Sequence, residues 1–126
     1  MRKAVLYGGG IINILLAVFH MFFWSLLDWS TELPKLSVLN RGVLQIANVI
    51  IIFVILYFAV MSFVMARHER LDVFGRSIII CIAGFYTIRL VLGFPFFGFN
   101  YEELGVWIVC LIIIGAYLSV LRMEKR

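Results

Sequence analysis

The chain has 126 residues, 64% of them hydrophobic and 14% charged, with a formal net charge of +4. A soluble domain of this size is about half apolar and a quarter charged, so this composition excludes an ordinary soluble fold. The positive charge sits in clusters between apolar stretches and at the chain ends, which is a membrane-topology signal and not the footprint of nucleic-acid binding.

Four apolar stretches, 4–27, 42–66, 76–95 and 104–121, are each close to the roughly 20 residues that a helix needs to cross a bilayer. Short connectors account for nearly everything else, so residues 1–126 read as a single transmembrane domain. Backbone groups in lipid must be satisfied internally, and four helices with short loops satisfy them best side by side. The expected fold is an all-α integral membrane protein, an antiparallel up-down-up-down four-helix transmembrane bundle.

The first stretch follows Arg2 and Lys3 and resembles the start of a signal peptide. Its apolar run exceeds the usual 7–15 residues, roughly, of such a segment, and no A-x-A-like cleavage site follows. It is therefore expected to stay as a helix. Ala4 and Gly8 form a small-xxx-small pair that lets another backbone approach, and Gly115 and Ser119 form a similar pair in the fourth stretch. Both suit packing within the bundle or a homo-oligomer.

The first connector, 28–41, carries Trp29, Pro34 and Lys35 and is long enough for a short interfacial helix. The second, 68–75, is tight and charged. In the third stretch Pro95 disfavours helical geometry at Phe94, so the helix is expected to end there. The aromatic turn 96–101, with Trp24, Trp29 and Trp107, forms a belt of the kind that sits at one membrane interface.

Short loops rich in Lys and Arg stay cytoplasmic. Arg2, Lys3, Arg67, Arg70, Arg76, Arg122, Lys125 and Arg126 lie on one side of the expected bundle; Lys35 and Arg41 lie on the other, with Asp28, Glu32, Glu102 and Glu103. Both termini are expected in the cytoplasm, and the basic ends are expected to touch anionic lipid. The localisation expected is a prokaryotic cytoplasmic membrane.

The polar residues within the stretches fall at helical spacings of 3, 4 and 7, which place them on shared faces. Asn13, Ala17, His20, Trp24 and Asp28 align in the first stretch. Arg41, Gln45 and Asn48 align in the second, and that stripe continues as Ile52, Ile55, Ala59 and Ser62. Tyr86, Arg89 and Gly93 align in the third; Glu103, Trp107, Cys110, Ile114 and Tyr117 align in the fourth. With a rise of 1.5 Å per residue, His20 lies roughly 10–12 Å from Asp28, Asn48 about 10 Å from Arg41, and Arg89 about 9 Å from Pro95. His20, Gln45, Asn48 and Arg89 therefore share the outer half of the expected membrane.

Intramembrane ionisable groups are costly and usually face a bundle interior or a water-filled cavity. The expected ligand site comprises His20, Trp24, Arg41, Gln45, Asn48, Tyr86 and Arg89. Asp28, Glu102 and Glu103 are the candidate charge partners of Arg89. The arginine fork suits a bidentate carboxylate from the protein or from a ligand, and a snorkelling Arg89 that reaches headgroups is the alternative. His20 could move a proton or simply hydrogen-bond across helices.

Several signatures of catalysis are absent from the sequence. There is no G-x-S-x-G, no H-E-x-x-H and no phosphate-binding glycine loop ahead of a helix. His20 and His68 lie too far apart in depth to ligate one haem, and no metal or other cofactor is called for. Cys81 and Cys110 lie at depths that differ by much more than the ~6 Å that a disulfide spans, and both are expected to be buried, unreactive thiols.

Arg41 and Asn48, seven apart, resemble the arginine–asparagine spacing of the family of membrane-associated eicosanoid and glutathione metabolism proteins. Arg89-Leu90-Val91-Leu92-Gly93-Phe94 is similar to that family's helix-3 arginine with its glycine–aromatic ending. Where the family places a glutamate after the asparagine, Ile50, Ile51 and Ile52 follow Val49 here. The resemblance implies an intramembrane enzyme such as a glutathione-dependent transferase. The residues themselves point first to a non-enzymatic protein that binds or transports a small, anionic or lipid-like ligand. They point next to an accessory or assembly subunit of a membrane complex. The expected partners are membrane lipids, a second copy or another membrane subunit, and no nucleic acid.

Overall fold

The computed structural model describes residues 1–124, which are helical almost throughout. Lys125 and Arg126, which belong to the basic C-terminal cluster, lie outside the described residues. The order is α1 (Arg2–Met21), α2 (Phe23–Leu26), α3 (Trp29–Glu32), a 3-10 turn (Leu33–Lys35), α4 (Val38–Arg67), α5 (Val73–Phe97) and α6 (Tyr101–Met123). Helices α1, α4, α5 and α6 are each long and apolar enough to cross a membrane, with mean hydropathies of 1.8, 2.9, 2.0 and 2.6. Their exposed residues are mainly Ile, Leu, Val and Phe, a surface that water disfavours and acyl chains accept. The protein is thus an all-helical integral membrane protein.

The chain divides into two compact units. One comprises Gly10–Val60; the other comprises Met1–Gly9 and Met61–Arg126.

In the Gly10–Val60 unit, α1 ends at Met21 and the expected helix to residue 27 breaks. Phe22 takes φ −85° and ψ 3°, and the chain tightens from i→i−4 to i→i−3 bonds (Phe22 N to Phe19 O, 3.1 Å). Asp28 then adopts a left-handed conformation at φ 47°, which aspartate tolerates better than most residues. Its side chain accepts from the Ser30 hydroxyl at 3.1 Å, and its carbonyl accepts from the Thr31 hydroxyl at 3.2 Å. The Thr31 and Ser30 hydroxyls hold the Asp28 carboxyl below its ordinary pKa. Trp29 and Leu33 are buried and anchor the connector, which carries a four-residue helical turn and a 3-10 turn where one short interfacial helix was expected. Helix α4 begins at Val38, so Arg41 lies in its first turn and not in a loop. Its 30 residues span about 45 Å, longer than a hydrocarbon core of about 30 Å.

In the other unit, α5 and α6 pack against each other across the turn 98–100. Asp72 caps α5 by accepting from the Gly75 amide at 2.7 Å. Asn100 caps α6 by accepting from the Glu103 amide at 2.8 Å, which draws Glu102 and Glu103 into the first turn. The helix passes through Pro95 and stops at Gly98, against the expected end at the proline. Pro95 lacks the N–H that would bond the Val91 carbonyl, but it stands in the last turn and only two helical residues follow it; the chain leaves at Gly98, whose φ of 68° a side chain would resist.

The α5 face Gly75, Ile79, Ile82, Ala83, Tyr86 and Gly93 is buried, as is the α6 face Glu103, Cys110, Ile113, Tyr117 and Val120. The α6 intervals of 7, 3, 4 and 3 make one continuous stripe. Ile113 takes the buried place expected for Ile114. Gly9 packs so closely on Tyr117 that a Cβ there would lie 2.7 Å from the hydroxyl. By contrast, a Cβ on Gly8 or on Gly115 would meet nothing among the described residues.

Candidate functional site

The expected site residues divide between the two units. His20, Trp24, Arg41, Gln45 and Asn48 belong to the Gly10–Val60 unit, and Tyr86 and Arg89 to the other.

In the Gly10–Val60 unit, His20 on α1 and Asn48 on α4 lock together through two hydrogen bonds. The Asn48 Nδ2 donates to the His20 carbonyl at 3.1 Å, and its Oδ1 lies 3.1 Å from His20 Nδ1. The first bond fixes which end of the amide is nitrogen. Oδ1 is then an acceptor, so Nδ1 of His20 carries the hydrogen. His20 also stacks on Phe23, with ring centroids 4.3 Å apart. Ala17 and Asn13, one and two turns earlier, are buried on the same stripe.

Trp24 departs from that stripe. It is 51% exposed, because the break at Phe22 rotates everything after it off the α1 face. Its ring meets Trp29 at 6.5 Å. Asp28 is exposed for the same reason. Arg41 and Gln45 are half-buried and make no side-chain hydrogen bond or ion pair among the described residues.

In the other unit, Arg89 takes Glu103 as its partner from among the three carboxylates proposed. Nη1 donates to Oε2 at 3.2 Å and Nη2 to Oε1 at 2.7 Å, a two-pronged fork across the α5–α6 pair. The Arg89 side chain keeps 36% of its surface exposed and Glu103 only 10%. The Phe97 ring lies 5.3 Å from the guanidinium carbon, one turn of helix beyond Gly93. Glu102, its neighbour in the first turn of α6, is exposed. Tyr86 is buried one turn before Arg89 and packs edge-on against Phe85.

Gly93 is what allows this arrangement. A Cβ on it would lie 2.6 Å from Arg89 Nη1, 2.9 Å from Glu103 Oε2 and 2.9 Å from Trp107 Nε1. Three polar atoms thus converge over one bare α-carbon. Trp107 Nε1 is buried there without a hydrogen-bond partner among the described residues. Trp107 stands one turn after Glu103 on α6. Sequence spacing placed Glu103 and Trp107 on one face, but nothing in it singled out Gly93 as the floor.

Cys110 is buried, as expected, whereas Cys81 is exposed on α5. Residue 81 points away from the Ile79, Ile82 and Ala83 face that packs inward. Among the described residues no group of three His, Cys, Asp or Glu side chains could hold a metal ion.

Comparison with family models, with curated proteins and with solved structures finds no match to this chain.

Proposed function

We propose that this membrane protein binds, and in doing so can transport, a small anionic or lipid-like ligand in the outer half of the bilayer, with Arg89 as the anion contact. One observation carries this reading. Glu103 engages two of the five N–H groups of Arg89, while more than a third of that side chain stays exposed. The carboxylate and the Phe97 ring orient the guanidinium, and its remaining donors are left for an oxygen-rich head. Trp107, with the Phe94 ring 6.0 Å and the Phe99 ring 5.9 Å from it, supplies the apolar surface beside the guanidinium.

On this reading the four spans run up-down-up-down with both termini cytoplasmic, in a prokaryotic cytoplasmic membrane. The asymmetry of Lys and Arg supports that orientation. The purified protein, screened against anionic amphiphiles by native mass spectrometry, should bind one class through Arg89. Unchanged binding in Arg89→Ala would remove the site assignment.

A second reading, an accessory subunit of a membrane complex, draws on the internal pairing of His20 with Asn48 and of Ser62 with Tyr117. Such pairs stiffen a scaffold without any ligand. Extraction in mild detergent separates the two readings: a stable heteromeric complex favours the subunit, and a ligand-bearing monomer counts against it.

A further inference from the structure

At the end of α6 away from Glu103, a second arginine–carboxylate pair ties three segments of the same unit together. Arg2, at the start of α1, reaches Glu124 at the end of α6, with Nη1 3.1 Å from Oε1. Its Nη2 donates to the His68 carbonyl in the α4–α5 connector. The other Glu124 oxygen accepts from the Leu71 amide at 3.1 Å. Both side chains are nearly enclosed, 12% and 8% exposed. Beside this latch lies an open groove of about 390 Å³, lined by Met1, Arg2, Ser119, Arg122 and Met123.

We infer that this groove is a binding site for the phosphate head of an anionic lipid, distinct from the Arg89 region and independent of the ligand proposed there. Four observations converge. Two arginines line the groove against the single carboxylate of Glu124, leaving a net positive charge. The latch fixes Arg2, so that side chain is already ordered before a ligand arrives. Two methionines form adaptable apolar walls for the glycerol and the first methylenes. Finally, Glu103 and Glu124 are 21 residues apart along one continuous helical path, about 30 Å at 1.5 Å per residue. That equals the thickness of a hydrocarbon core, which sets the groove at headgroup level. Basic pockets between transmembrane helices on the cytoplasmic face recognise acidic lipid heads in the same way. The C-terminal dipole of α6 opposes an anion, and the arginines must outweigh it.

The test uses the full chain in nanodiscs and compares retention of phosphatidylglycerol with phosphatidylcholine by native mass spectrometry. The unmodified protein should retain phosphatidylglycerol preferentially. Arg122→Gln leaves the latch intact and should lower that preference about fivefold, the effect of one basic residue near an anionic surface. Ser119→Phe fills the groove without changing charge and should lower it as well. If Arg122→Gln acts and Ser119→Phe does not, Arg122 is a general surface charge and the groove is not the seat. If neither acts, Arg122 serves only the helix end, and the inference is overturned. Should Ser119→Phe fail to fold by circular dichroism, Met123→Phe takes its place. Inorganic phosphate is the second probe: it should not displace the lipid at millimolar concentration, and displacement would identify a free-phosphate site instead.

Discussion

Arg89 and Glu103 sit at opposite sides of the α5–α6 turn and meet in a two-pronged ion pair, with the arginine a third exposed and the glutamate almost enclosed. The pair is therefore asymmetric. Removing the arginine strands an enclosed carboxylate, whereas removing the glutamate leaves a cation that can extend toward headgroups.

Arg89→Gln should destabilise the protein by about 2–3 kcal/mol, less than the 3–5 kcal/mol of a fully buried pair because solvent screens the exposed arginine. Glu103→Gln should cost less, about 1 kcal/mol. Equilibrium unfolding in mixed micelles measures both, and equal losses would contradict the asymmetry.

Gly93 carries the same cluster from below. Gly93→Ala should displace Arg89 or Trp107 and cost about 1–3 kcal/mol through overpacking. Trp107→Phe, which deletes the unpartnered N–H and keeps most of the ring, should be close to neutral in unfolding experiments. A loss above about 2 kcal/mol in Trp107→Phe would mean that the indole has a partner.

His20 and Asn48 should show a coupling energy of about 0.6–1.7 kcal/mol in a double-mutant cycle of His20→Ala and Asn48→Ala, the span found for interhelical hydrogen bonds in membranes. Nitrogen-15 spectra of the imidazole should place the proton of the neutral ring on Nδ1. An Nε2–H signal would reverse the assigned amide orientation.

Tyr117 reaches Ser62 at 2.6 Å and lies over Gly9. Tyr117→Phe should cost about 1 kcal/mol through loss of the buried Ser62 hydrogen bond. Gly9→Ala should cost more, about 1–3 kcal/mol, because the ring is rigid and Tyr117 is only 1% exposed. Gly8→Ala, which meets open space, is the control and should be silent.

Asp28 gives a pH signature in the first connector. The Thr31 and Ser30 hydroxyls lower its folded pKa below 3.8, so the turn's stabilisation is fully present above that value. It is lost as the pH falls through the lower folded value. Exchange of the Thr31 and Glu32 amides, which both donate to the Asp28 carbonyl, should be pH-insensitive in protection between about pH 5 and 7 and should accelerate in acid beyond the intrinsic rate. Asp28→Ala should abolish that acid step.

The four spans were legible from the sequence because a bilayer demands length and apolarity, and both are local properties of the chain. The faces were legible too where the helices stay straight. Asn13, Ala17 and His20 kept their spacing, as did Glu103, Cys110 and Tyr117, because helical geometry fixes which residues align. The alignment failed at Trp24, where one residue, Phe22, leaves the helix and rotates all that follows. Pro95 misled for a related reason: its effect depends on how many turns remain, and only the end at Gly98 decides that.

Partner choice was not legible. Sequence offered Arg89 three carboxylates, and the Asn100 cap, which draws Glu103 into the first turn of α6, selected one of them. It marked Gly8 and Gly115 as packing positions, yet the close approach falls at Gly9, because that depends on where a neighbouring Tyr117 lands. Local chain chemistry thus determined that this protein crosses a membrane and which polar groups share a face. Which of those groups meet across helices was decided only in three dimensions, because hydrogen bonds and contacts depend on register and rotation to within an ångström.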